Sequence, residues 1–280
     1  MFARVPASSA NLGPGFDALA VALTLYLEVT LEAADAFAIS SEGFGAGLFD
    51  DERNLGARVA ADVLGHSNFV MHVKSEIPLS RGLGSSAALA VAAAVAAGAA
   101  DPLAIGTGID GHAENAAASL LGGLVVARSN GEFVARSLAL DDDWRFVVVI
   151  PDEELSTDDA RDVLPTQVPF DDAIHNLSSM GLLLAGLADH DAWVAGAMDD
   201  VLHQPYRMGL LSFAQPLLTT LRDSGASGSC WSGAGSTMLG LATSDRAEDV
   251  ARAARSFLHD QGVAGVVQVL EADRTGLVTN

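Results

Sequence analysis

A glycine- and serine-rich loop at residues 78–88, with the sequence PLSRGLGSSAA, constrains this chain more than any other stretch. Gly82 and Gly84 allow the backbone to turn with its N–H groups pointing inward. The alanine-rich segment that follows predicts a helix, whose N-terminal amides and positive dipole end attract anions. Ser85 and Ser86 fall at the predicted cap of that helix, where a hydroxyl can bind a phosphate oxygen or magnesium. The loop therefore predicts a phosphate-binding cradle.

Three other interpretations of this loop compete with the cradle. An ordinary turn before a helix accounts for the short pattern by itself about as well. Gly82, Gly84 and Ala87 also satisfy a loose dinucleotide-binding fingerprint, but no hydrophobic strand follows before Asp110, as that fold requires. A P-loop is excluded, because the only lysine, Lys74, does not follow a glycine. Amides, hydroxyls and metal must therefore hold any phosphate bound here.

Composition indicates a soluble globular protein. With 280 residues, 50% hydrophobic and 18% charged, the chain can bury one large core or two. Its start lacks a signal-peptide pattern and no apolar run is long enough for a membrane span, so we expect a cytoplasmic location. Cys230 is the single cysteine, which excludes an internal disulfide. The net charge of −21 argues against nucleic acid as a partner and means that arginines and a divalent cation must offset repulsion of an anionic nucleotide.

The periodicity predicts an α+β chain of two domains, residues 1–150 and 151–280. Residues 6–17 contain several Gly and Pro residues, which predicts an ordered loop. Residues 225–235 are predicted to be rich in turns. The predicted strands are 2–5, 23–31, 69–77, 124–128, 133–138, 146–150, 237–241 and 265–271. The predicted helices are 54–64, the cradle helix, a second alanine-rich helix from 109 to 122, 171–187, 191–202, 210–224 and 245–258.

Six segments together resemble one known family. Residues 6–17 (PASSANLGPGFD), 78–87 and 232–237 (SGAGST) are similar to the three ordered motifs of the GHMP small-molecule kinases, and the first is most similar to its homoserine kinase branch. Further similarity lies in residues 111–115, 155–165 and 203–207. The resemblance covers nearly the whole chain, and six motifs in the right order are far more specific than any one.

The resemblance implies a fold and an activity. The fold is the two-domain GHMP-kinase fold, with an N-terminal ATP-binding domain of ribosomal-protein-S5-like topology and a C-terminal ferredoxin-like domain. The activity is ATP-dependent phosphorylation of the L-homoserine hydroxyl to O-phospho-L-homoserine, in threonine biosynthesis, with ATP and Mg²⁺ as cofactors and a homodimer as the assembly. Two alternatives stay open: a catalytically weak nucleotide- or metabolite-binding protein on this fold, and a sister kinase acting on another small hydroxy-acid.

The resemblance also assigns residues by matched position. The expected catalytic residues are Asn115, Asp17 and Thr157, with Asn115 orienting the acceptor hydroxyl because an amide cannot act as a general base. The expected substrate-binding residues are Asn11, Asp17, His112, Arg161, Arg207 and Gly233, the two arginines binding the carboxylate. The expected nucleotide-binding residues are Pro78, Arg81, Gly82, Leu83, Gly84, Ser85, Ser86, Ala87 and Ala88. The expected magnesium ligands are Ser86 and Asp110.

Several of these positions have plainer interpretations or depart from the family. His112, predicted to face the same way as Asn115 at a helix start, could equally bind a backbone group, and either arginine could be a solvated surface charge. Where the family has glutamate, this chain has Asp110, which could instead cap the helix predicted to start there. The segment 97–110 is shorter than in the family by roughly 10 residues, or three helical turns. Ser236 replaces the usual proline of the third motif.

Overall fold

The computed structural model describes residues 1–129 and 131–280, which form eleven strands, nine α-helices and one short 3₁₀ helix. The strands make two sheets. The strands are β1 (Phe2–Ala10), β2 (Leu19–Ala33), β3 (Ala38–Gly43), β4 (Phe69–Ser75), β5 (Leu124–Arg128), β6 (Val134–Leu138), β7 (Trp144–Pro151), β8 (Gly228–Trp231), β9 (Met238–Thr243), β10 (Gly265–Leu270) and β11 (Val278–Thr279). The helices are α1 (Leu55–Leu64), α2 (Ser85–Ala96), α3 (Pro102–Asp110), α4 (Glu114–Leu121), α5 (Thr157–Asp162), α6 (Phe170–Ala188), α7 (Gln204–Arg207), α8 (Ala214–Asp223) and α9 (Ala247–Gln261).

The first sheet is organised around the long strand β2. Along one side β2 pairs with β1, and along the other its first residues pair with β5 and its last with β4. Strand β3 runs parallel to β4, and α1 connects the two. Asn54 starts α1 by accepting hydrogen bonds from two helix amides. Helices α2 and α4 pack on β1 and β2, which places the start of α2 at the edge of the sheet beside β1.

The second sheet has the order β10-β7-β9-β8, with every pair antiparallel. In chain order β7, α8, β8, β9, α9 and β10 follow the βαββαβ pattern of a ferredoxin-like unit, as expected, and α5 to α7 lie between β7 and α8. Val147 and Val149 face a core with α8 and α9, whereas Phe146, Val148 and Ile150 face a core shared with the first sheet. This alternation joins the two halves into one body with a cleft at their junction.

The structure corrects several local predictions. Strand β1 does not stop at Pro6 but continues to Ala10, because its register with β2 shifts between Pro6 and Ala7 and accommodates the proline there. After a short 3₁₀ helix at His190–Ala192, the residues up to 202 form turns instead of the predicted α-helix, since Gly196 has a φ of +84° and the carboxylate of Asp200 accepts backbone amides. The stretch 225–235, predicted to be turns, contains β8, and β3 was not predicted.

Two expectations are not settled by the fold. The predicted boundary at residue 150 falls inside β7, whose residues all belong to the second sheet, and it stays a prediction. No helix among the described residues is long and apolar enough to cross a membrane, and the cytoplasmic location stays a prediction.

Candidate active site

A cleft of about 380 Å³ lies where loops of the first sheet meet loops of the second. Six separate segments contribute to it: the β1–β2 loop, the cradle before α2, the α3–α4 connection, α5, α7 and the β8–β9 turn. Its lining includes Asn11, Asp17, Arg81, Gly82, Gly84, Ser85, Ser86, Asp110, His112, Glu114, Asn115, Thr157, Arg161, Arg207 and Gly233. All the predicted catalytic, substrate-binding and metal-binding residues therefore face one space.

The cradle ends at the N-terminus of α2. Gly84 is the N-cap, with a φ of +69° and no side-chain cap, so Ser85 and Ser86 are the first two helical residues and not caps. The first intrahelical bond of α2 runs from the amide of Ala88 to the carbonyl of Gly84, at 2.9 Å. The amides before Ala88 have no acceptor within the helix and are available to an anion.

The cradle is fastened to the second half of the chain. The hydroxyl of Ser232 donates to the carbonyl of Gly82 (2.6 Å), and the amide of Thr237 donates to the carbonyl of Arg81 (3.2 Å). Gly82 has a φ of +72°, and a Cβ there would collide with the carbonyl oxygen of Ser232. Only glycine therefore fits where the cradle meets the β8–β9 turn.

Some predicted cradle residues do not present their side chains to the cleft. Pro78, Leu83, Ala87 and Ala88 are buried beneath it. Arg81 lines the cleft, but its guanidinium donates to the carbonyls of Leu79, Pro151 and Asp152 and pairs with Glu154 at 3.3 Å. Arg81 thus ties the cradle to the end of β7.

The β1–β2 loop holds its shape through Asn11. Asn11 and Asp17 have φ angles of +74° and +52°, in the left-handed region. The side-chain oxygen of Asn11 accepts from the amide of Asp17 (3.0 Å), and its nitrogen donates to the carbonyl of Gly233 (2.9 Å). Asn11 is buried and both ends of its amide are engaged, so it presents Asp17 to the cleft.

Asp17 and Arg161 form a two-pronged ion pair, with contacts of 2.7 Å and 3.1 Å. Both side chains are about one-third exposed, so bulk water screens this pair only partly. The pair places an anion and a cation side by side at the cleft.

Arg207 is the more deeply buried arginine, at 2% exposure. Its Nε donates to the carbonyl of Ala160 (3.1 Å) and its Nη1 to the carbonyl of Gly233 (2.9 Å). Burial first, and then the nearby charge of Arg161, lower the pKa of Arg207 to about 10, which leaves it charged at neutral pH. Within the described chain no carboxylate pairs with Arg207 and no group accepts from its Nη2, so this cation has capacity for an anionic ligand.

Asp110 is the last residue of α3, not the first of a helix as predicted. The hydroxyl of Ser86 donates to its carboxylate at 2.6 Å. The cap role considered for Asp110 is therefore wrong, and a carboxylate at the negative end of a helix dipole is unfavourable unless a cation lies nearby.

Glu114 is a cleft residue that the sequence reasoning did not assign. It is fully buried, its Oε1 lies 2.5 Å from Nδ1 of His112, and its Oε2 has no hydrogen-bond partner among the described residues. Burial lowers the pKa of His112, but Glu114, together with the charges of Asp17 and Asp110, outweighs burial, so the pKa of His112 is raised. Oxygen atoms of Asp17 and Glu114 approach each other within 4.8 Å, which creates an acidic corner. The only sequence signal for a role of Glu114 is its position next to Asn115.

Asn115 and Thr157 complete the lining. Asn115, in the first turn of α4, accepts from the hydroxyl of Ser8 at 2.8 Å, and no described residue accepts from its side-chain nitrogen. His112 lies just before that helix. Thr157 is the first residue of α5, which Ser156 caps. Asn115 therefore has donors directed at whatever occupies the cleft.

Known proteins share this architecture. The family models for the GHMP kinases N-terminal domain and the GHMP kinases C-terminal domain match residues 54–123 and 173–260. A homoserine kinase from Desulfitobacterium hafniense is 37% identical over 98% of this chain and 97% of its own, and one from Microchaete diplosiphon is 38% identical over 97% and 94%. The chain belongs to the homoserine kinases of the GHMP family. The predicted family and two-domain fold are thereby confirmed.

Solved structures agree with this membership. The crystal structure of a homoserine kinase from Cytophaga hutchinsonii superposes with a TM-score of 0.87, at 27% identity, and covers 99% of this chain and 96% of its own. A mevalonate kinase from L. major has a TM-score of 0.72 at 16% identity, covering 98% and 96%, and shares the fold alone.

Proposed function

We propose that this chain transfers the γ-phosphoryl group of ATP to the side-chain hydroxyl of L-homoserine, giving O-phospho-L-homoserine in threonine biosynthesis. The observation that carries the proposal is that one cleft joins the anion-binding cradle of α2 to a buried, unpaired guanidinium and an acidic corner. A phosphate donor and a zwitterionic amino acid fit these three features together. A catalytically weak binding protein, the alternative, would not require the cradle, the guanidinium and the acidic corner together.

The acceptor end of the cleft matches homoserine group by group. Arg207 and Arg161 supply guanidinium donors for the carboxylate, and Asp17 and Glu114 supply acceptors for the ammonium group. Asn115, between these groups and the cradle, orients the hydroxyl for attack on phosphorus. Such a site works by positioning and charge stabilisation, as phosphoryl transfer requires.

The donor end suits a triphosphate with magnesium. Acidic side chains outnumber guanidiniums in the lining, so a divalent cation is needed to neutralise bound phosphates. Ser86 and Asp110 offer a hydroxyl and a carboxylate, the oxygen ligands that magnesium prefers, at the end of the cradle. We propose that these two residues hold Mg²⁺, which offsets negative charge on the phosphates.

A substrate panel tests the activity. Release of ADP is measured with L-homoserine, L-serine, L-threonine and 4-hydroxybutyrate as acceptors. We expect turnover with homoserine and little with the others, since serine is too short and 4-hydroxybutyrate lacks the ammonium group. If another hydroxy-acid is turned over faster than homoserine, that compound is the substrate instead. If no acceptor is turned over, the kinase assignment is wrong.

The metal proposal predicts the effect of Asp110→Asn. We expect the magnesium concentration for half-maximal activity to rise by roughly 10-fold or more. The melting temperature without nucleotide should hold or rise slightly, because the change removes a negative charge worth about 0.3–1 kcal/mol at a helix C-terminus. Asp101→Asn, at the N-cap of the same helix, is the control and should leave the magnesium requirement alone. An unaltered requirement in Asp110→Asn would assign the metal to other residues.

We propose further that the chain forms a homodimer through the outer face of α6. Phe170 and Leu177 are 80% and 72% exposed, and Ile174 lies between them on the same face. Asp171 and Asp172 follow Phe170 in the first turn, but no Asp, Glu, Lys or Arg occurs from residue 173 to 188. Because each copy carries a net charge of −21, two copies repel least where they meet over an uncharged surface.

Sedimentation equilibrium of Leu177→Glu tests this interface. A two-fold dimer would bring two such carboxylates into one apolar contact, so we expect the variant to be monomeric where the parent is dimeric. Val266→Glu adds the same charge at a half-exposed position on β10 and serves as the control. A dimer that survives Leu177→Glu, or a monomeric parent, would refute the interface.

A further inference from the structure

His203 is buried completely beneath the acceptor end of the cleft, immediately before α7. Its ring stacks on Phe16, with centroids 4.9 Å apart and planes 22° apart. Its Nε2 lies 2.9 Å from the carbonyl oxygen of Gly13, and its Nδ1 lies 3.1 Å from Nη1 of Arg207. The imidazole therefore connects the β1–β2 loop to the buried arginine.

The partners of His203 decide where its proton resides. A carbonyl oxygen can only accept, so Nε2 must carry the proton that it donates to Gly13. A guanidinium can only donate, so Nδ1 must be bare to accept from Arg207. Burial lowers the pKa of His203 to about 4, against the opposing charge of Asp200, which is consistent with a neutral ring.

Asp200 fixes the backbone that carries this ring. Its carboxylate is buried and accepts from the amides of His203 (3.0 Å) and Gln204 (2.7 Å) and from the side chain of Asn176 (2.9 Å). Asp200 is therefore saturated with other donors, and its nearest approach to Nε2 of the ring is 3.5 Å. The ring is left to be oriented by Gly13, Phe16 and Arg207.

We propose that His203 is a positioning residue for the phosphoryl acceptor. Its bare Nδ1, together with the carbonyls of Ala160 and Gly233, holds the plane of the Arg207 guanidinium so that Nη2 points at the substrate carboxylate. These three acceptors engage Nε and Nη1 and so fix the orientation of the guanidinium. A protonated imidazole could not serve, because it would present N–H to N–H and repel the arginine. This inference rests on the proposed function and deepens it.

A matched pair of substitutions separates the two hydrogen bonds of the ring. His203→Asn retains an acceptor near the position of Nδ1 and loses the donor at Nε2, whereas His203→Gln retains a donor near Nε2 and has no acceptor at Nδ1. We expect the glutamine variant to raise the KM for homoserine by roughly 10- to 100-fold, as for loss of a hydrogen bond to a charged group. Its kcat and its KM for ATP should change little, and the asparagine variant should stay within a few-fold of the parent.

Equal effects of the two substitutions on KM, or no effect of His203→Gln, would overturn the proposal. The protonation state of the two ring nitrogens can also be measured directly, and this measurement does not require an active variant. In ¹⁵N-histidine-labelled protein, the His203 resonances, identified by their loss in the asparagine variant or otherwise by through-bond assignment, should show a protonated Nε2 and a bare Nδ1 at neutral pH. A proton on Nδ1 overturns this inference even in an active homoserine kinase. An inactive parent with the expected tautomer refutes the proposed function instead.

Discussion

Gly82→Ala should abolish kinase activity and lower the free energy of unfolding by about 2–5 kcal/mol. Two effects add at this position. A left-handed φ of +72° costs a non-glycine residue about 1–3 kcal/mol. The new methyl group would also collide with the carbonyl of Ser232 and lie 2.9 Å from the amide and carbonyl of Gly235. These are backbone atoms, so the cradle must move away from the β8–β9 turn and lose its alignment with the acceptor.

Gly262→Ala is the matched control. Gly262 ends α9 with a φ of +65°, and nothing lies within 4 Å of where its Cβ would be. It shares the backbone strain of Gly82 but not the collision, so we expect a loss near 1 kcal/mol and full activity. Chemical denaturation and ADP release measure both variants. If the two glycines lose equal stability and Gly82→Ala stays active, the contact between the halves does not shape the cradle.

Arg207→Ala should raise the KM for homoserine by about 100-fold, as the loss of a charge-assisted, buried carboxylate contact implies. The KM for ATP should be nearly unchanged, since Arg207 lies at the acceptor end. Arg207→Lys retains the charge but not the planar fork, and it should recover little of the loss because a lysine cannot reproduce the three fixed bonds to Ala160, Gly233 and His203.

Arg161→Ala should have the smaller effect, about 10-fold on the same KM. Arg161 is one-third exposed and already paired with Asp17, so removing it also frees that carboxylate for the ammonium group. Steady-state kinetics with homoserine as the varied substrate distinguish the two arginines. A larger effect from Arg161, or equal losses for ATP and homoserine in either variant, would contradict the division of roles.

The family and the fold could be predicted because the informative residues lie in short, locally ordered motifs. The glycines and serines of the cradle from Gly82 to Ser86, and the helix that follows, can be recognised within a dozen residues, whereas the contacts of the cradle with the β8–β9 turn cannot. Asn11 is different. Its side chain lines the cleft, so its predicted contact with substrate stays a prediction, but its bonds with Asp17 and Gly233 were not predicted, because Gly233 lies in the distant β8–β9 turn and no local pattern reveals such a pairing. Glu114 likewise acquires its importance from burial beside Asp17.

The errors in local structure have the same origin. Pro6 is a reasonable end for an isolated strand, but pairing with β2 carries β1 through a register shift. Asp110 follows a glycine-rich stretch that in isolation favours a turn before the next helix, whereas packing of α3 against α2 extends α3 through this residue. In both cases tertiary contacts outweigh local propensity.

Helix α2, which bears the cradle, has alanine at seven of its twelve positions, with Ala87, Ala88 and residues 92–94 fully buried. Alanine has no side-chain rotamers to lose, so ordering these seven residues costs backbone entropy alone. The amides proposed to bind the phosphates therefore belong to a rigid helix. Any change in the distance between nucleotide and acceptor must come from the loops around this helix.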